Sequence, residues 1–169
     1  MSISEESNMD VLECFRQKAA LSRLFFSQLR KTYWAEKKLL ETVSAIAETS
    51  SGALRDFLEM YQEQTHYHLR QLEEIFSLWG LAPRGERCYA MTALIVEIDD
   101  LISGRTIDSS LRDIGLILVS QKIDHYETAA YNALQQLVSD ISFIRRKDTP
   151  KEREAVSKLL SIHHLSAGK

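Results

Sequence analysis

Residues Gln121 to Leu134 read QKIDHYETAAYNAL, and the fold of the chain turns on this stretch. Ile123, Ala130, Tyr131 and Leu134 recur at helical spacing, and Glu127 falls in the middle of the stripe they form. Asp124 lies one turn earlier on the flank of the same face, whereas His125 points almost opposite Glu127. A carboxylate centred on an apolar stripe is costly to ionise unless it finds a partner. Inward-pointing acids of this kind are what bundle metal sites are built from. The stretch therefore reads as the inner wall of a helical bundle.

Glycine and proline divide the chain into helix-sized pieces at Gly52, at Gly80 with Pro83 and Gly85, at Gly104 and at Pro150. The piece that holds the opening stretch begins near Asp108 or Ser109, either of which can cap a helix, and runs to about Ile144. Arg145, Arg146 and Lys147 then suit the negative end of its dipole. Upstream, a first piece from about Asp10 to Glu48 carries Leu21, Phe25, Leu29, Tyr33, Leu40, Val43 and Ala47 on one face; its length allows a break before Leu21. A second runs from Ala53 to Trp79 with Leu54, Leu58, Tyr61, Leu69, Leu72 and Phe76, and ends at Gly80 as a left-handed cap. A third spans Glu86 to Ser103. Thr149-Pro150-Lys151-Glu152 has capping-box spacing with proline at the first helical position, so a short fifth helix is expected there. No segment alternates with period two, and the chain reads as all-α.

Composition is consistent with this. The 169 residues are 44% apolar and 27% charged, which describes one soluble globular domain able to bury roughly two thirds of its unfolded surface. Cys14 and Cys88 are distant and lack a CxxC partner, which excludes a zinc knuckle and a disulfide scaffold and leaves two buried or idle thiols. A net charge of -3 with interspersed signs provides no footprint for nucleic acid and no polybasic membrane anchor. The acidic N-terminus lacks the pattern of a signal peptide, and no window is apolar enough to span a membrane, so a cytoplasmic location is expected.

On the first helix Glu36 sits amid Leu29, Leu40, Val43 and Ala47, as Glu127 does on the fourth. On the second, Glu63-x-x-His66 has the spacing with which Glu and His share a metal, but both lie about 120° to 180° from the apolar stripe, where solvent is expected. His68, beside Tyr61, Gln64 and Thr65, is the better interior position, as a ligand or as a hydrogen-bonded core histidine. Glu97 belongs to the rim of the third helix, and His163 and His164 lie near a polar tail with solvent-facing side chains expected. Two roles are open to Glu36 and Glu127: metal ligands, or buried acids paired with Lys or Arg or shared with Tyr33 or Tyr131.

The segments LRKTYWAEKKLL (29–40), QEQTHYHLRQLEEIF (62–76), GLAPRGERCYAMTALI (80–95) and above all QKIDHYETAAYNAL (121–134) resemble the ferritin-like stress-response proteins of the YciF and YciE type. The resemblance implies a ferritin-like four-helix bundle with an additional short helix, assembled as a homodimer, in which the third helix is the crossover that brings the fourth alongside the second. It also implies capacity for a two-ion iron or manganese centre. Glu36 matches the acid of the AEK motif and Glu127 that of HYE, while Asp124 stands where Glu is usual. Tyr61 and Gln64 occupy the inner face of the second helix where the family shows His and Glu, and the family's acidic last-helix segment has no counterpart in Lys151 to Lys169.

The expected organisation is a helical extension over 1–20, a single bundle domain over 21–165 and a tail over 166–169. Two functions stand against each other. In one, Glu36, His68, Asp124 and Glu127 hold iron or manganese, with Glu63, His66 and Glu97 as outlying positions, and any enzymatic activity is that of a di-iron-type oxidoreductase acting on oxygen or peroxide. In the other, a metal-free dimer keeps the bundle as a structural or interaction protein. No nucleophile elbow, phosphate loop or catalytic Cys/His pattern points to hydrolysis.

Overall fold

The computed structural model describes residues 3–50, 52–104, 108–145 and 149–166, and among them five helices and no strand. Helix α1 spans Ile3–Thr49, α2 Gly52–Leu78, α3 Tyr89–Ser103, α4 Ser109–Arg145 and α5 Pro150–Ser166. The first is 47 residues long, roughly 70 Å, without the break before Leu21 that its length allowed. The reason is compositional: no glycine or proline precedes Gly52. Arg146, Lys147 and the side chains of Arg145, His163 and His164 lie outside the described residues, as do 167–169 of the expected tail.

The punctuation behaves as its chemistry requires. Gly80 ends α2 with φ 65, a left-handed conformation that costs glycine little. At α5 the capping box closes in both directions, the amide of Thr149 donating to Glu152 at 2.9 Å and the amide of Glu152 to the Thr149 hydroxyl at 3.3 Å. The third helix starts at Tyr89 and not at Glu86, because Glu86 is engaged elsewhere. Its amide donates to the carbonyl of Arg30 at 3.1 Å, and its carboxylate takes Ser27, Arg30 and Lys31 at 3.4 to 3.6 Å. Residues 81–88 thus form an extended strap along α1, and Cys88 takes the capping position of α3, its sulfur accepting from the Met91 amide.

Helix α1 packs against α2, α3 and α4, and α5 closes against α2 and α4. Two apolar clusters result. One joins Phe25 and Leu29 of α1, Leu72 and Phe76 of α2, Leu134 and Val138 of α4, and Leu159 and Ile162 of α5. The other joins Leu39 and Val43 of α1, Leu58 of α2, Met91 and Ile98 of α3, and Leu116 and Val119 of α4. The pairings make α1 antiparallel to both α2 and α4, so that α2 and α4 run the same way. The strap and α3 supply the return between them. The apolar residues of α3 are only partly covered: Met91 and Ile98 are buried, while Ile102 is exposed.

Strap and helix meet at Gly85, where a Cβ would lie 2.9 Å from the Cβ and 3.3 Å from the Cα of Trp34. Neither atom is the end of a flexible chain, so the strap itself would have to lift. Gly85→Ala is expected to destabilise the protein by about 1–3 kcal/mol, read as a lower midpoint in thermal or urea unfolding; an unchanged midpoint would show that the strap is not held against α1.

Candidate metal centre

The boundary between the two apolar clusters falls close to the same level on all three long helices: between Tyr33 and Ala35 on α1, Tyr61 and Leu69 on α2, and Ile123 and Tyr131 on α4. Polar residues fill that level. Glu36 and His68 are each 1% exposed and Glu127 3%. One ligand-type atom from each of these three lies within 4.8 Å of the others. Helical period turns each residue inward on its own helix, and the register of the packed helices brings the three to one level.

Glu36 is the hub. Its Oε1 accepts from the Tyr131 hydroxyl and lies 3.3 Å from His68 Nδ1. A carboxylate oxygen accepts, so Nδ1 is the donor in this contact and Nε2 points away from it. Neither His68 Nε2 nor Glu36 Oε2 has a hydrogen-bond partner among the described residues, although both are buried. Buried polar atoms are ordinarily satisfied, and here two stand unpartnered within one cluster.

Three phenols surround the acids. Tyr131 is raised far above the ordinary phenol range, first by burial and then by the fields of Glu36 and Glu127. Tyr61 is raised likewise by burial, then by Glu127 and Asp124, and donates to Asp124 at 2.8 Å. Tyr126 is raised by burial and by its contact with Cys88, whose sulfur is 2.9 Å from its hydroxyl. All three therefore remain neutral phenols, of which Tyr131 and Tyr61 donate to carboxylates.

The residues singled out in the sequence divide accordingly. Glu36, His68 and Glu127 come together; Asp124, half-buried, is engaged by Tyr61 and stands outside the group of three. Glu63, His66 and His125 are exposed, and Glu97 is half-buried in an ion pair with Lys122 at the surface. Of the two tyrosines considered for the acids, Tyr131 serves Glu36, whereas Tyr33 turns away and donates to Glu73 at 2.9 Å, with its pKa pushed up to about 12 by burial and that carboxylate. The Tyr61–Asp124 and Cys88–Tyr126 contacts had no sequence signal, and Cys88 is not idle: it caps α3 and touches the phenol layer. Cys14 is exposed.

A two-ion centre in a bundle of this kind uses a Glu on each of two helices and Glu-x-x-His on the other two. Here Leu39 stands three residues after Glu36 and Ala130 three after Glu127. The donor set of two carboxylates and one imidazole suits a single divalent iron or manganese ion, whose remaining positions would be filled by water.

Comparison with known proteins agrees with the resemblance read from the Gln121–Leu134 stretch. The chain is 30% identical over 138 residues to Protein YciF of Escherichia coli (strain K12), spanning 78% of this chain and 82% of that protein. The crystal structure of the E. coli stress protein YciF matches with a TM-score of 0.74 at 26% identity, over 86% of this chain and 87% of that one. YcfI from Rhodopseudomonas palustris, put forward as a structural protein, matches with a TM-score of 0.68 over 88% of this chain and 94% of its own, and at 22% identity speaks for the fold alone. No helix among the described residues is long and apolar enough to cross a membrane. Residues 20–149, more than three quarters of the chain, match the family described as Domain of unknown function (DUF892), and to that family the chain belongs.

Proposed function

We propose that the chain is a metal-binding bundle protein of the YciF-like stress class, with Glu36, His68 and Glu127 holding one divalent iron or manganese ion. The observation that carries the reading is the convergence of three buried donors from three helices, with Glu36 Oε2 and His68 Nε2 lacking partners. Taking carboxylates out of water costs several kcal/mol each, and a divalent cation offsets that cost in the place where the acids face one another. When bound, iron or manganese supplies Lewis-acid and redox chemistry towards oxygen or peroxide. The protein's part is to orient: Tyr131 fixes the Glu36 carboxylate, Glu36 fixes the His68 ring, and the apolar layers on either side exclude water. Tyr61, where the family shows His, and the Asp124 it engages limit the site to one ion.

Loading with ferrous or manganous ion under anaerobic conditions, followed by desalting, is expected to leave about one ion per chain by elemental analysis. Glu127→Ala should retain none while keeping its helical circular dichroism. At a hundredfold excess of free ion over Kd, binding adds about 2.7 kcal/mol of stability, which raises Tm by roughly 5–10 °C for a chain of this length. Metal retained by Glu127→Ala, or none retained by the natural chain, sinks the reading. The latter result would favour a metal-free structural protein, for which the bonds from Tyr131 and His68 to Glu36 would suffice as a polar pin between the helices.

The hydrogen bond from Tyr131 distinguishes orientation from mere burial. Tyr131→Phe is expected to weaken metal binding by roughly 10- to 100-fold in a competitive chelator titration, while Tyr33→Phe, on the same helix as Glu36 but bonded to Glu73, leaves the affinity unchanged. Equal losses in the two variants would count against the assignment.

The homodimer implied by the family is also proposed, and the first half of α4 supports it. There Leu111, Ile114 and Leu118 turn outward at helical spacing with more than half of each exposed. Ile114→Lys is expected to shift the sedimentation coefficient from dimer to monomer; an unchanged dimer would place the interface elsewhere.

A further inference from the structure

Helix α2 packs extensively on α1 and α5, while it meets α4 through side chains such as Tyr61 on Asp124 and His68 against Tyr131. At the end of the bundle that α5 does not cover lies a half-enclosed cavity of about 30 Å³. Its wall is built from Leu39, Leu58, Ile98, Leu116 and Ile123, with Tyr61 among them. Leu39 and Ile123 stand about one helical turn, roughly 5 Å, from Glu36 and Glu127. The ring of Tyr61 lines the cavity, while its hydroxyl donates to Asp124 at 2.8 Å and lies in the field of Glu127.

The wall offers little to water. It carries two hydroxyls, and both protons are spent inside the protein, that of Tyr61 on Asp124 and that of Ser120 on the carbonyl of Ile117 at 2.8 Å. A buried water needs two to four polar partners, and a water site takes roughly 10–15 Å³ in this measure. The cavity is large enough for one small guest, and its lining favours an apolar one.

We infer that this cavity is a holding site for one small uncharged molecule of the size and polarity of dioxygen, on the path between solvent and the Glu36–His68–Glu127 cluster. Its destination rests on the metal reading; its occupancy does not.

Xenon tests the cavity directly. In crystals of the natural chain under xenon pressure, a single xenon atom is expected between Leu39, Tyr61 and Ile123, and it should disappear in Val43→Leu and in Leu116→Phe, which fill the space. In ferrous-loaded protein the same variants should keep their ion and react more slowly with dioxygen. Absence of xenon from the natural chain overturns the inference, as does xenon that persists in both filled variants. An unchanged oxidation rate in a variant that has lost xenon removes the cavity from the path. If neither variant folds, xenon in the natural chain decides alone. Xenon bound without retained metal would leave the cavity standing and the metal reading fallen, and metal retained without xenon would do the reverse.

Discussion

A carboxylate at 1% exposure is the constraint around which this bundle is arranged. Glu36 lies about three quarters of the way along the longest helix, where the apolar stripe would otherwise be continuous, and an acid buried there must be met by hydrogen-bond partners. Tyr131 and His68 meet it from α4 and α2, so a single side chain ties the three long helices together at one level. The two apolar clusters form above and below this level and do not merge across it. Register follows. Sliding α2 or α4 by one turn would take the donor away from Glu36, which makes the polar level a specifier of packing as well as a candidate binding site.

Much of this was legible in the sequence, because helical period is a local property. Glu36, His68 and Glu127 each lie on a stripe that can be drawn from residues within two turns, and that was enough to place all three inward. Glu63 and His66, despite their metal-like spacing, could be assigned to the exposed face by the same means. The helix ends were readable where the chemistry is local too, as at Gly80 and in the Thr149–Glu152 box.

What escaped the reading depends on distances across the fold. Tyr61 and Asp124 are on different helices and become partners only once both pack on α1, so neither residue announced the other. Tyr33 and Tyr131 were equivalent on helical wheels, and only the turn of Tyr33 towards Glu73 separates them. The late start of α3 has the same origin: Glu86 is a good residue for a first helical turn, but the backbone of Arg30 and the side chains of Ser27, Arg30 and Lys31 hold it in the strap.

The two clusters also differ in when they can be completed. Among the described residues, the cluster around Leu39 and Ile98 draws on nothing beyond Tyr126, whereas the cluster around Phe25 and Phe76 requires Leu159 and Ile162 of the last helix. During synthesis from the N-terminus, the half of the bundle that contains α3 has all its parts available some forty residues before the other half. Until α5 emerges, the faces of α2 and α4 that it covers remain open to water and to other chains. The nascent protein therefore passes through a stage with one finished end and one adhesive end, and the capping box at Thr149 is the device that starts the helix that closes it.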